Sequence, residues 1–146
     1  MLKTFIGRLL LMAGLAMAAT ASASAHGAIA IGGNTADTAK YGIAVGYAVN
    51  QSSKDEAVAQ AIAQCKTYPS NNPAETTAHC ELAANFDHEW LAISMDPENG
   101  TPGFGWSVDA NQKAAERNAL SQCKASSPTE RKKFCVISLS KRDDGP

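Results

Sequence analysis

The chain has 146 residues, with 13 Lys and Arg against 14 Asp and Glu, a formal charge of -1, 45% hydrophobic residues and four cysteines. That length predicts one domain with a modest core, and the near-neutral balance gives no argument for nucleic acid as a partner. No apolar run beyond the leader is long enough to span a membrane.

Lys3 and Arg8 precede or interrupt an apolar run from Leu9 to Ala19, and two overlapping small-x-small sites follow, Ala21-Ser22-Ala23 and Ala23-Ser24-Ala25. This is the pattern of a secretory signal peptide of bacterial style. We read residues 1–25 as leader, cleaved near Ala25, and residues 26–146 as a single periplasmic or secreted domain. Removing Lys3 and Arg8 takes the charge from -1 to -3.

The first apolar segments, residues 27–32 and 41–49, flank the turn-rich Gly33-Asn34-Thr35-Ala36-Asp37 and predict a hairpin. Ser53-Lys54-Asp55-Glu56 is a capping box and predicts a helix start, after which Val58, Ala61, Ile62 and Cys65 fall on one helical face. The run from Cys80 to Phe86 then reads as a strand. The order repeats in the second half. Residues 89–95 and 103–108 predict a hairpin around a Pro- and Gly-rich turn. Asp109 or Asn111 can cap a helix with Ala115, Ala119, Leu120 and Cys123 on one face, and the run from Phe134 to Leu139 carries the last cysteine.

The repetition is visible in the residues. Ala61-Ile62-Ala63-Gln64-Cys65-Lys66 recurs as Ala119-Leu120-Ser121-Gln122-Cys123-Lys124, and the segment from His26 to Ile31 aligns with that from His88 to Ile93. Between these anchors, Tyr41-Gly42 can match Phe104-Gly105, or Gly46-Tyr47 can match Gly105-Trp106. The expected fold is α+β: two ββαβ pseudo-repeats, residues 26–87 and 88–140, with antiparallel sheet packed by two Ala-rich helices. Residues 141–146 are expected to form a charged tail, and Arg131-Lys132-Lys133 a solvated run.

An even set of cysteines in an exported chain predicts two disulfides. A cysteine ending a helix lies within reach of one starting the strand that returns beneath it. The expected pairs are therefore Cys65 with Cys80 and Cys123 with Cys135, which leaves no thiol for catalysis.

Gly-Ala-Ile-Ala at residues 27–30, an aromatic-Gly pair, two Ala-rich helices ending in cysteine, Cys-bearing strands and Trp90-Leu91-Ala92-Ile93 together resemble the bacterial exported family catalogued as domain of unknown function four-one-eight-nine. The resemblance covers residues 26–139. It implies a compact α+β domain without an established enzymatic activity, and it places an aromatic residue where this chain has His26.

No zinc-protease helix motif accompanies His88-Glu89, and no nucleophile elbow or phosphate loop is present, so no catalytic residue is assigned and a non-enzymatic role is expected. Tyr47, Trp90, Phe104 and Trp106 lie on or beside the hairpins. They either fill the core beneath the alanine helices or, with the 96–102 loop, offer an aromatic anchor to another envelope or secreted protein, as inhibitors and immunity proteins do. The alternative function is copper binding. If cleavage falls before His26, its terminal amine and ring nitrogen, joined by His88 at the aligned position and by Asp87 and Glu89 beside it, would suit copper.

Overall fold

The computed structural model describes residues 24–33, 38–98 and 103–145. Residues 1–23 of the expected leader, 34–37 and 99–102 of the two hairpin turns, and Pro146 of the tail lie outside the described residues. The described chain forms β1 (His26–Gly32), a short α1 (Thr38–Tyr41), β2 (Ala44–Gln51), α2 (Lys54–Lys66), β3 (Glu81–Phe86), β4 (Trp90–Met95), β5 (Phe104–Asp109), α3 (Gln112–Ser126) and β6 (Val136–Arg142). The two halves are ββαβ units, as the repeat implies. Each makes a three-stranded antiparallel sheet with its first strand in the centre, β2-β1-β3 and β5-β4-β6. The expected strand over 41–49 begins only at Ala44. Residues 38–41 make a helical turn, and Gly42 follows at a φ of 85°, which ends it.

Strand alternation sorts the side chains into two layers. On one face Ala28, Ala30, Ala44 and Ala48 pack against Ala57, Ala61 and Cys65 of α2, and Ala92 packs against Ala115 and Ala119 of α3. On the other face Ile29 and Phe86 of the first sheet meet Leu91 and Ile93 of the second, surrounded by Val45, Tyr47, Met95, Phe104, Trp106 and Leu139. The architecture is a four-layer stack of helix, sheet, sheet and helix. Large residues fill the space between sheets, and small ones line the space beneath each helix.

Two glycines set the helix distance. A methyl group at Gly46 would collide with the Ala61 carbonyl and the Cys65 amide, and one at Gly105 with the Ala119 carbonyl and the Cys123 amide. The glutamine before each cysteine serves the same contact: Gln64 Oε1 accepts the Tyr47 amide at 3.3 Å, and Gln122 Oε1 accepts the Trp106 amide at 3.4 Å. These bonds occupy amides of the edge strands β2 and β5. The disulfides Cys65–Cys80 and Cys123–Cys135, with Cα separations of 5.9 and 6.0 Å, fasten each helix to its returning strand.

The register corrects the alignment of the halves. Ala30 pairs with Gly46, and Ser94 pairs with Gly105. Gly46 therefore corresponds to Gly105 and Tyr47 to Trp106, while His26 corresponds to Trp90 and not to His88. The two-residue slip arose because Ala-Ile occurs twice in β1: the alignment matched Ala92-Ile93 to Ala30-Ile31, whereas the register matches it to Ala28-Ile29. The pair Gly27–Phe86 corresponds to Leu91–Lys141. The Phe86 ring fills the space that a side chain at Gly27 would need, whereas Leu91 fills its own.

Helix starts follow the sequence with one change. Ser53 Oγ accepts the Glu56 amide at 3.2 Å, but the Glu56 carboxylate takes the Ser52 hydroxyl at 2.6 Å instead of closing the capping box. Asn111, and not Asp109, caps α3, accepting the Ala114 amide at 3.2 Å. The last strand extends through Arg142, and Asp143, assigned from sequence to a solvated tail, is fully buried. Its carboxylate accepts the amides of Asn50 at 2.6 Å and His88 at 3.2 Å, the two non-glycine residues with positive φ among those described. Asp143 thus ties the ends of β2, β3 and β6 together.

Gly105→Ala is expected to destabilise the fold by about 1–3 kcal/mol through overpacking, read as a lower urea midpoint. Removing the first disulfide by Cys65→Ala with Cys80→Ala should cost about 3 kcal/mol by the same measurement.

Candidate functional site

The two sheets are closed at one end by Asp143. At the opposite end a cleft of about 270 Å³ opens between the halves. Half one supplies Lys40 and Tyr41 of α1, the start of β2 at Val45, and Tyr68 to Asn72 after α2. Half two supplies Met95, Asp96, Glu98, Gly103 and Phe104. The cleft exists here because the chain leaves each sheet for its hairpin turn at this end, and the α1 turn carries aromatic and cationic side chains over the rim.

Behind the cleft lies the most developed ionic arrangement among the described residues. The Asp96 side chain is fully buried and accepts from Arg131 Nε at 2.8 Å and from Nη2 at 2.6 Å, while its Oδ1 also takes the Glu98 amide at 3.1 Å. Arg131 also pairs with Glu98 and stacks over the Phe134 ring at 4.2 Å. The solvated basic run expected from sequence is therefore corrected at Arg131, which is tied to a buried carboxylate. The Arg131 hydrogen bonds hold the Asp96 carboxyl below its usual 3.8, overcoming burial, which pushes it up, and the Glu98 amide assists. The partner guanidinium is held above its usual value by the same bonds.

Phe134 and Val136, 41% and 49% exposed, border this arrangement. Val136 pairs across the sheet with Met95 of the cleft, and Phe134 carries Arg131 on one side and Lys133 at 5.0 Å. Phe134 lies in a 3-10 turn (Lys132–Phe134) and not in the strand. Sequence reasoning passed over these two residues, although an apolar residue on each side of a disulfide cysteine, next to a basic run, is a readable signal.

The aromatics singled out from sequence divide. Tyr47 and Trp106 are half-buried in the layer between the sheets, and Phe104 joins that layer while also lining the cleft. Trp90 packs with Ile137 against the alanine cluster beneath α3. Residues 99–102 of the loop expected to accompany them lie outside the described residues. Of the copper pair, His26 Nδ1 meets Asp87 Oδ1 at 2.6 Å, so Asp87 faces His26 and not the neighbouring His88. His88 sits in the β3–β4 turn with its amide on Asp143. Among the described residues no three His, Cys, Asp or Glu side chains form a group that could hold a metal ion, and no helix is long and apolar enough to cross a membrane.

A disulfide-stapled α+β stack of two like halves is the class that this geometry defines. The chain belongs to the family described as domain of unknown function (DUF4189), whose model matches residues 26–141. No curated protein and no solved structure matches it.

A carboxylate with a lowered folded-state pKa stabilises the fold above its unfolded value and loses that contribution as pH falls through the folded value. Acidification below about pH 4 should therefore reduce the urea midpoint of the wild type. The reduction in that window should be smaller for Asp96→Asn, and superimposable pH profiles would count against the Asp96–Arg131 bond as its source.

Proposed function

We propose that this protein is a non-enzymatic periplasmic or secreted binding domain, of the inhibitor or immunity type, which holds another envelope or secreted protein at its open end. The supporting observation is the cleft shared by both halves, continuous through Met95 and Arg131 with the exposed Val136 and Phe134. Exposed apolar side chains beside a concave, aromatic-lined opening with polar groups at its rim are the composition of a protein-binding hot spot. Binding is favoured over acid–base chemistry because the Asp96 oxygens are occupied by Arg131 and the Glu98 amide, which keep the carboxylate charged. The two disulfides support an oxidising compartment.

The anchor in this reading moves from Trp90, Trp106 and Tyr47, which brace the layers, to Phe134 with Tyr41 and Phe104 at the cleft. Immobilised mature protein should retain a saturable partner from envelope or culture-supernatant fractions. Tyr41→Ala with Phe134→Ser should weaken that binding about tenfold or more, and Lys113→Ala with Arg117→Ala on the outer face of α3 should not. Equal binding by both double variants would remove the open end as the site, and turnover of a defined substrate without a recoverable partner would overturn the reading.

A further inference from the structure

The two helices hold like places in their halves, yet their outer flanks differ in chemistry. The contacts at Gly46 and Gly105 match Ala61 to Ala119 and Cys65 to Cys123. On that match Asp55, Val58, Ile62 and Lys66 of α2 stand where α3 has Lys113, Glu116, Leu120 and Lys124. In the second half Gln112, bonded to Glu116 at 2.9 Å, reaches Ser140 of β6. The flank of α2 that carries Val58 and Ile62 is therefore the one turned toward β3. Leu82 of that edge strand is 39% exposed, and it pairs with Ala30 of the alanine layer, which puts it on the α2 side of the sheet. We propose that two copies of this chain pair through this flank about a two-fold axis, with their α2 helices antiparallel.

The flank is complementary to itself. Asp55 and Lys66 are exposed and lie at its two ends, with the half-buried Val58 and Ile62 between them. Residues at this spacing share one side of a helix. An isologous contact sets each residue of a patch against another residue of the same patch. Antiparallel pairing places Asp55 against the partner's Lys66 at both ends, and it closes the apolar middle, widened by Leu82, against its copy. Among the described residues neither Asp55 nor Lys66 takes part in a salt bridge within the chain. The matching flank of α3 refuses the same arrangement, because Lys113 would meet the partner's Lys124 and Glu116 would lie in the middle. That difference selects α2, and it shows that the fold accepts a charged residue where Val58 stands. An apolar flank ended by opposite charges fits a second copy of itself. The contact is separate from the docking site at the open end and leaves Phe134 and Val136 free.

The test is sedimentation velocity over a dilution series of the protein recovered from the exporting cell. A dimer that dissociates to monomer on dilution is expected. Val58→Glu copies the residue of the second half and should leave only monomer over the same range, since it places a charge in the apolar middle of the contact. Asp55→Lys alone and Lys66→Asp alone each set like charges together at both ends, and each should raise the dissociation constant about tenfold or more. Asp55→Lys combined with Lys66→Asp restores opposite charges and should restore the dimer, which a variant that merely misfolds would not do. A monomer at every concentration, dimerisation unchanged by Val58→Glu, wild-type dimerisation in both single charge variants, or failure of the double variant to recover the dimer would each overturn the proposal.

Discussion

The close approach of each helix to its sheet is the constraint on which the rest of the structure depends. At Gly46 and Gly105 the helix backbone occupies the space of a side chain, and around that contact only Ala and disulfide sulfur fit. Strand alternation then sends most of the large strand residues to the opposite face, where Ile29, Ile93, Tyr47 and Trp106 are buried against the other sheet, while Trp90 and Ile137 lie at the alanine cluster beneath α3. One half on its own would expose that face to water. The two halves consequently form a single core, and the alanine layers gain rigidity from the disulfides that close each helix onto its third strand.

The proposed binding site lies where the two halves stop being alike. Asp96 stands where Gly32 stands in the first half, and Arg131, four residues before Cys135, corresponds to Thr76, four before Cys80. The first half satisfies its buried Thr76 within its own loop through Ser70 and Asn72. The second half instead builds an ion pair that reaches Glu98 and Phe134 at the cleft. A charge-assisted, bidentate bond fixes direction as well as distance, so this substitution gives one half a rigid rim that the other lacks. At the far end Asp143 plays the complementary part, holding two left-handed backbone turns together and leaving the loop end as the open one.

Much of this was legible in the residues. The pairing of Cys65 with Cys80 and of Cys123 with Cys135 followed from a helix that ends over its returning strand, and the two ββαβ units followed from the recurring Ala-x-x-Gln-Cys. The recurrence of Gln64 and Gln122 has its explanation only in space, since each accepts an amide of the neighbouring edge strand. The alignment of His26 with His88 failed for a related reason. Similar short apolar strings match at more than one offset, and only hydrogen-bonded register separates offsets that differ by an even number of residues, because both keep the same side chains on the same face.

Local patterns determined the elements, their order and the disulfides, because periodicity, capping and the spacing of cysteines act between residues close in the chain. Tertiary structure decided which aromatics are braced between layers, which carboxylates are buried and where the cleft opens. Asp96 and Arg131 are 35 residues apart, and Asp143 lies 93 residues from Asn50. Whether a charged residue in a polar stretch is solvated or buried depends on a partner supplied by another element, and nothing in its immediate neighbours encodes that partner.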